Sequence, residues 1–537
     1  MIVSTITCYL KTYIQPFERR LALAELHCLA ESEPWPLSGH SETASAFRVS
    51  TSMSVDELAS RLAYWEVLQS GFSTYTRQVR AEATANVVRN GIPFERLCQT
   101  LPFKQNVPLP NRRCLRYGTH GIHEYRGKFF PQLAVALINL AGVHAGNIVG
   151  DPMCGSGTAL VESVIAGCSA YGLDLNPLSV LMARTKCDLL SADPKRLMAS
   201  YSAVREYLLC DGPSGGPALQ YLKRLPDKDQ SYLLQWFSPE ALHDLDRIAT
   251  YLENLSPGAI RNLMWLSLSN ILRRVSWQKE DDLRVRKEVR ADTDVDPIRE
   301  FLEELGRSVR LVTSFLIEEP FARLGHHHIC EGDVRKLGDY WNDIAGRVDL
   351  IITSPPYATA LPYLDTDRLS LIYLKLLSRP HHRTRDYEMI GNREVSDRLR
   401  AAYWEAFHAE KRVYPSRITR LIERIHELNQ DSEAGFRKRN LPALLAKYFR
   451  DMRLVLDKIR LALRKGSGAF VVVGNNHTVA GGRRVDIETA GLLFELGESV
   501  GLQGREITPM EMLVSRDIFK NNASDSEFIL HLRRRSL

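Results

Sequence analysis

Apolar residues recur at the spacing of a helix face in two early stretches, Phe17–Glu31 and Val55–Gln69, separated by the Pro- and Ser-bearing piece Glu33–Ser45. Residues 1–100 therefore read as a small α/β or helical accessory region, and 101–119, with three prolines, as a linker. The texture changes at Gly146. Asn147–Asp151 predicts a short strand, Thr158–Ala166 a helix, Ala170–Asp174 a second strand and Asn176–Lys186 a second helix, the opening of a parallel sheet. Residues 188–325 read as mainly helical, with helices at Leu233–Leu255, Asn262–Val275 and Pro297–Leu316 and a charged stretch at Gln278–Arg290. Strand patterns resume at His328–Cys330 and Val348–Thr353. After a second interruption come a helix at Leu441–Arg464, a strand at Gly468–Gly474, a helix at Asp486–Val500 and a last strand at Glu527–Arg533.

The expected fold class is α/β, a mostly parallel sheet flanked by helices, with two largely helical insertions and a small N-terminal region. Its core is assembled from 120–187, 326–380 and 441–537. The insertions are 188–325, a possible recognition region, and 381–440, a basic one. A chain of 537 residues, 44% hydrophobic, supports a large core. Nine cysteines, an odd number without a C-x-x-C pair, argue against a disulfide framework or a zinc ribbon. No apolar run of about 18 residues predicts a membrane span, and the first residues lack a signal-peptide pattern, so the expected location is cytoplasmic, away from the membrane.

Chemistry concentrates at two loops. Asp151-Pro152-Met153-Cys154-Gly155-Ser156-Gly157-Thr158 lies between a predicted strand and helix. Its glycines permit a sharp turn and close approach of a ligand, and the following helix offers free N–H groups. The next strand ends in Asp174, where one carboxylate can accept from both hydroxyls of a ribose. The pattern is not G-x-G-x-x-G, which disfavours a nicotinamide cofactor. Within Glu331-Gly332-Asp333, after the resumed strand, Asp333 is the candidate acceptor for an adenine amino group.

The second loop, Ser354-Pro355-Pro356-Tyr357, follows the apolar strand directly. Two prolines fix φ twice and remove two donors, leaving a rigid loop of acceptors followed by an aromatic ring. A base amino group is a weak nucleophile because its lone pair is delocalised. Acceptors on both amino hydrogens, the Ser354 hydroxyl and the Pro355 carbonyl, favour a tetrahedral nitrogen, and Tyr357 is expected to stack on the base. Catalysis is then mainly positioning, and a base within a duplex must be flipped out.

These two motifs resemble those of the DNA amino-methyltransferases, whose catalytic tetrapeptide has the form (D/N/S)-P-P-(Y/F/W). The serine version is more similar to the cytosine-N4 than to the adenine-N6 branch. His123–Leu133 is similar to the element preceding the Gly-rich motif in that family, where an aromatic ahead of the proline lies against the cofactor, a role for Phe129 or Phe130. The resemblance implies a Rossmann-like class I methyltransferase core, S-adenosyl-L-methionine as cofactor, and a cofactor site built from Phe129, Phe130, Asp151, Pro152, Cys154, Gly155, Ser156, Gly157, Thr158, Asp174 and Asp333. It implies Ser354, Pro355, Pro356 and Tyr357 as the catalytic loop, and double-stranded DNA as substrate, with a cognate restriction enzyme as a possible partner. A competing resemblance lies in Leu21–Glu33 and Met53–Leu62, which look like the N-terminal region of tRNA guanine-N2 methyltransferases.

The formal net charge is +6. Residues 371–465 hold 22 Lys and Arg against 12 Asp and Glu, so the basic excess lies just after the target-base loop. Arg379, Arg383, Arg385, Arg393, Arg417, Arg420 and Arg437-Lys438-Arg439 are candidate phosphate contacts, with Tyr387, Tyr403, Trp404 and Tyr414 as candidate stacking rings. His326-His327-His328 with Cys330 is expected to hold no metal, because adjacent strand residues point to opposite faces. Arg184 and Lys186 fit a helix end, and Arg533–Arg535 a solvated tail.

Overall fold

Two sheets organise the chain, which the computed structural model describes over residues 3–125, 127, 129–210, 219–279, 287–288, 295–358, 363–392, 395–430, 435–511 and 526–536. Arg393 and most of Gln278–Arg290 lie outside these described residues, as does the side chain of Arg437. The first sheet comprises β1 (Ser4–Leu10), β2 (Trp35–Pro36), β3 (Ala46–Thr51), β4 (Trp65–Ser70) and β5 (Phe72–Tyr75). Its order is β2-β3-β1-β4-β5, antiparallel throughout. The N-terminal region is thus α/β. The predicted helix over Val55–Gln69 stops at Arg61, because Leu62 turns extended and Trp65–Gln69 pairs with β1 instead.

The central sheet contains β6 (Ile148–Asp151), β7 (Ser169–Asp174), β8 (His327–Glu331), β9 (Val348–Thr353) and β10 (Leu463–Gly474). A hairpin of β11 (Asn476–Ala480) and β12 (Arg483–Ile487) stands apart, and β13 (Leu502–Glu511) and β14 (Ser526–Arg534) complete the sheet. The order is β13-β14-β10-β9-β6-β7-β8, with only β14 reversed. The chain moves outward from β6 to β8, then returns to lay β9 beside β6 with Val149 opposite Leu350. Ligands of open α/β sheets bind where the strand order reverses, beyond the carboxyl ends of the strands. Here that point lies between the ends of β6 and β9, and each end leads into one of the two motif loops.

The central strands β9 and β10 are buried on both faces, hence their continuous apolar runs. Leu350, Ile352, Phe470 and Val472 face Leu133 and Leu137 of the helix Pro131–Leu140 and, beyond it, the N-terminal region. Ile351, Ala469, Val471 and Val473 face the helix Phe436–Ala462 through Leu445, Phe449 and Met452. Phe407, Tyr414, Ile418 and Ile422, read as part of a separate basic insertion, belong to this second core. Leu364–Leu377, assigned to the sheet core from sequence, packs instead on the helical region between β7 and β8, with Leu245, Met264 and Phe301. Nor is 101–119 a free linker. Tyr117 is buried and donates to Glu162 at 2.7 Å, and Gln132 donates to the Cys114 carbonyl at 2.9 Å.

Other boundaries shift for local reasons. The predicted Leu233–Leu255 helix begins only at Pro239, where Ser238 caps it by accepting from Ala241 N–H. The helix Phe436–Ala462 starts before Leu441 and gives way to β10 at Leu463. The predicted Asp486–Val500 helix surrenders its first residues to β12 and runs over Thr489–Ser499.

Candidate active site

β6 ends in Asp151, whose buried carboxylate accepts from Met153 N–H at 3.2 Å. Burial raises this carboxyl to about 7. The following turn is stitched to the end of β7. Cys154 N–H donates to the Leu173 carbonyl at 3.0 Å. Gly155 N–H donates to one oxygen of Asp174 and Asn176 N–H to the other, both at 2.8 Å. Burial pushes Asp174 up to about 6 against the backbone hydrogen bonds from Asn176, Gly155 and Leu175, and a carboxylate with about four acceptor sites keeps accepting capacity to spare. Gly155 has φ +48°, and a Cβ there would lie 2.9 Å from the Tyr125 ring. Beneath the turn, the fully buried Lys186 donates to the Ser156 carbonyl at 2.9 Å, while Arg184 donates to the Ile329 carbonyl at 2.6 Å. Both cations stand near the end of the helix Pro177–Asp188, as expected, and of the two Lys186 is an internal tie whereas Arg184 is exposed. The Ser156 hydroxyl is buried with no hydrogen-bond partner among the described residues.

Beyond β8, Gly332 N–H donates to the Asp174 carbonyl at 2.9 Å, bringing Asp333 to the same cavity. Arg335 grips both oxygens of Asp333, at 2.9 and 2.7 Å, and its guanidinium holds that carboxyl below the usual range despite partial burial. Among the predicted residues, Phe129, Asp151, Pro152, Cys154, Gly155, Ser156, Thr158, Asp174, Asp333, Ser354 and Pro356 line one solvent-open pocket of about 850 Å³. The cofactor-type turn and the S-P-P-Y loop thus share a cavity, although 196 positions separate Thr158 from Ser354.

Four predicted residues lie outside that lining. Phe130 sits under the Arg113 guanidinium, 4.5 Å from its ring centre, so of the two aromatics Phe129 faces the pocket. Gly157 precedes the helix at φ +79° and meets Ala183 rather than the cavity. Pro355 is buried, and the Tyr357 hydroxyl donates to Glu527 on β14. The Tyr357 ring lies over Gly474, where a Cβ would stand 3.2 Å from it, so a side chain on β10 at that point would push the ring by a few tenths of an ångström. Burial raises the Glu527 carboxyl, and the Tyr357 hydrogen bond opposes that rise.

Sequence reasoning missed Tyr125, Leu175, Asn176, Met389 and Ile390 in the pocket wall. Tyr125 stands inside the quoted His123–Leu133 element, a signal left unused. Met389 and Ile390 carry no motif and arrive only through folding.

The basic segment is less free than its charge implies. Arg417 pairs with Glu488 and Glu495, Arg385 with Glu331, and Arg379 lies 5.1 Å over the Tyr232 ring. Arg383 donates to the Tyr387 hydroxyl at 2.8 Å. Tyr414 is buried, and Trp404 packs against Phe407 and His426, so neither ring is presented for stacking. Arg420, Lys438 and Arg439 remain exposed. His327 bonds Asp188 at 3.0 Å and His328 packs on Tyr171. Arg533 and Arg534 are not a loose tail, since they belong to β14 and bond the carbonyls of Gly466 and Leu461.

A family model described as an RMKL-like methyltransferase domain matches residues 123–187. The Type II methyltransferase M.MvaI of Kocuria varians is 26% identical over 48% of this chain and 58% of its own length. M.BsoBI of Geobacillus stearothermophilus, also a Type II methyltransferase, is 21% identical over 73% of this chain and 81% of its own. A tRNA (guanine(10)-N2)-dimethyltransferase of Methanocaldococcus jannaschii is 30% identical over 26% of this chain and 45% of its own. The match to M.MvaI therefore spans little more than half of that relative. With the strand order and the shared pocket, these likenesses support an amino-methyltransferase of the class I S-adenosylmethionine-dependent superfamily.

Proposed function

We propose that the protein methylates the exocyclic amino group of a nucleic-acid base, cytosine N4 in DNA, with S-adenosyl-L-methionine as donor. One observation carries the reading: Ser354 and Pro356 border the same cavity as Asp151, Asp174 and Asp333. The residues fit the cofactor. The partnerless Ser156 hydroxyl and the narrow turn at Gly155 suit its polar chain, Asp174 its ribose diol and Asp333 its adenine amino group. When bound, S-adenosylmethionine supplies an electrophilic methyl group.

The chain's own residues do the rest by positioning. The Ser354 hydroxyl and the Pro355 carbonyl accept the two amino hydrogens and turn the nitrogen lone pair toward the cofactor pocket. Tyr357, held by Glu527 and seated over Gly474, offers its ring to the extruded base. Exposed Arg420, Lys438 and Arg439, together with Arg383, contact phosphates. The relatives' description as Type II methyltransferases supports DNA as substrate and a cognate restriction enzyme as partner. The tRNA-methyltransferase likeness favours a second reading, guanine N2 in tRNA.

Purified protein with labelled S-adenosylmethionine is to be incubated with unmodified genomic DNA and, separately, with total tRNA, and the products identified as nucleosides by mass spectrometry. N4-methylcytosine in DNA is the expected result. N6-methyladenine keeps the reaction type and changes the base, whereas methylguanine in tRNA alone overturns the DNA reading.

A further inference from the structure

The helix Arg379–Glu388 follows the S-P-P-Y loop in the chain, and the residues ending and following it, Glu388-Met389-Ile390, line the pocket together with Asp333 and Val334. Three cations from three elements hold this short stretch. Arg385, on the helix itself, donates to the Leu175 carbonyl at 2.8 Å and to Glu331 at 2.6 Å. Leu175 directly follows the ribose-site candidate Asp174, and Glu331 ends β8 opposite that same aspartate. Arg335, which grips Asp333, also donates to the Glu388 carbonyl at 2.8 Å. Lys447, from the helix Phe436–Ala462, donates to the Met389 carbonyl at 3.0 Å and to Asp451 at 2.7 Å. Asp451 in turn pairs with Arg335 at 3.1 Å. At the other end of the helix, the buried His382 bonds the Leu364 carbonyl at 3.0 Å, and burial lowers its pKa to about 4, so the ring is neutral and donates.

Charged donors to backbone carbonyls make the stronger class of hydrogen bond, and here they converge on one tripeptide and on the loop it faces. Met389 is half-buried and Ile390 buried, giving an apolar wall next to a carboxylate whose orientation Arg335 has fixed. An apolar wall with an adjoining fixed acceptor is the chemistry that recognises a flat heteroaromatic ring bearing an amino group.

We infer that Glu388–Ile390 is a strap completing the adenine end of the cofactor pocket, and that Arg385 is a positioning residue that latches it to the Asp174–Leu175 and Glu331 ends of the sheet. Part of the basic segment that reads as a nucleic-acid surface thereby serves cofactor binding. The inference rests on the proposed reading of the pocket as an S-adenosylmethionine site.

The test is calorimetric titration of S-adenosylhomocysteine, and separately of adenosine, into the full chain and its variants, with ligand-free melting measured in parallel. Arg385→Ala is expected to weaken both ligands about tenfold with little change in the melt. Arg385→Lys, a single point charge that reaches one partner but not both, is expected to recover only part of that loss. Met389→Ala, which leaves the latch intact, is expected to weaken both about fivefold and keeps the inference testable if Arg385→Ala does not fold. Unchanged affinity in Arg385→Ala or Met389→Ala, or a loss for S-adenosylhomocysteine but not for adenosine, overturns the strap. A wild-type chain that binds neither ligand overturns the cofactor reading and the strap with it.

Discussion

The Gly-rich turn and the S-P-P-Y loop leave neighbouring strands at the same end of the sheet, yet they are held in different ways. The Gly-rich turn is fixed by partners near in sequence: Asp174 accepts from Gly155 and Asn176, and Lys186 reaches back to Ser156. Tyr357 depends on Glu527, 170 residues away on β14, and on a bare Gly474 at the end of β10. The cofactor half is thus a local construction, whereas the base half exists only once the far strands of the sheet have closed. Damage to one half should therefore spare the other.

The largest effect is expected from Asp174→Ala, which removes the proposed ribose acceptor and the clasp on Gly155. Two lost charge-assisted hydrogen bonds at roughly 1.5 kcal/mol each imply about a 100-fold weaker dissociation constant for S-adenosylhomocysteine by calorimetry. Tyr357→Ala should lower kcat on DNA by about 100-fold, through lost stacking and misplacement of the base, with cofactor affinity held within about threefold. Equal loss of cofactor affinity in both variants breaks the comparison.

pH sharpens it. Asp174, raised to about 6, accepts best when ionised, so cofactor affinity should improve as pH rises through 6 and fall toward about tenfold per unit below it. Asp174→Asn should flatten that profile. Asp151 runs the other way for the ligand-free fold. Its carboxyl is raised from an ordinary 3.8 to about 7, so the folded state keeps a proton that the unfolded state has lost, and that contribution to stability disappears as pH rises through 7. Melting at pH 5 and pH 8 with Asp151→Asn as control checks the sign.

The smallest effect belongs to Glu527. Its loss frees the Tyr357 ring without removing it, so Glu527→Ala should reduce kcat about fivefold, and Glu527→Gln, still an acceptor, should restore most of it. An Ala variant with unchanged kcat would mean that the ring is positioned by Gly474 and its surroundings alone.

The parallel core, its two motif loops and their order were legible in the sequence, because turn glycines, paired prolines and two-faced apolar strands are local signals. The sequence singled out Asp151, Asp174, Asp333 and Ser354, which the fold then brings to one pocket. Tertiary structure alone decided the rest. Trp65–Gln69 became a strand because β1 offered it a partner. Lys186, legible only as a helix-end cation, became a buried tie to the Ser156 carbonyl, and Arg385 a half-buried one to Leu175 and Glu331, because the fold brings those acceptors to them. Charge counted along a chain says how many cations there are, but whether each meets solvent, phosphate or a buried acceptor depends on contacts between residues far apart in sequence, and only packing fixes those.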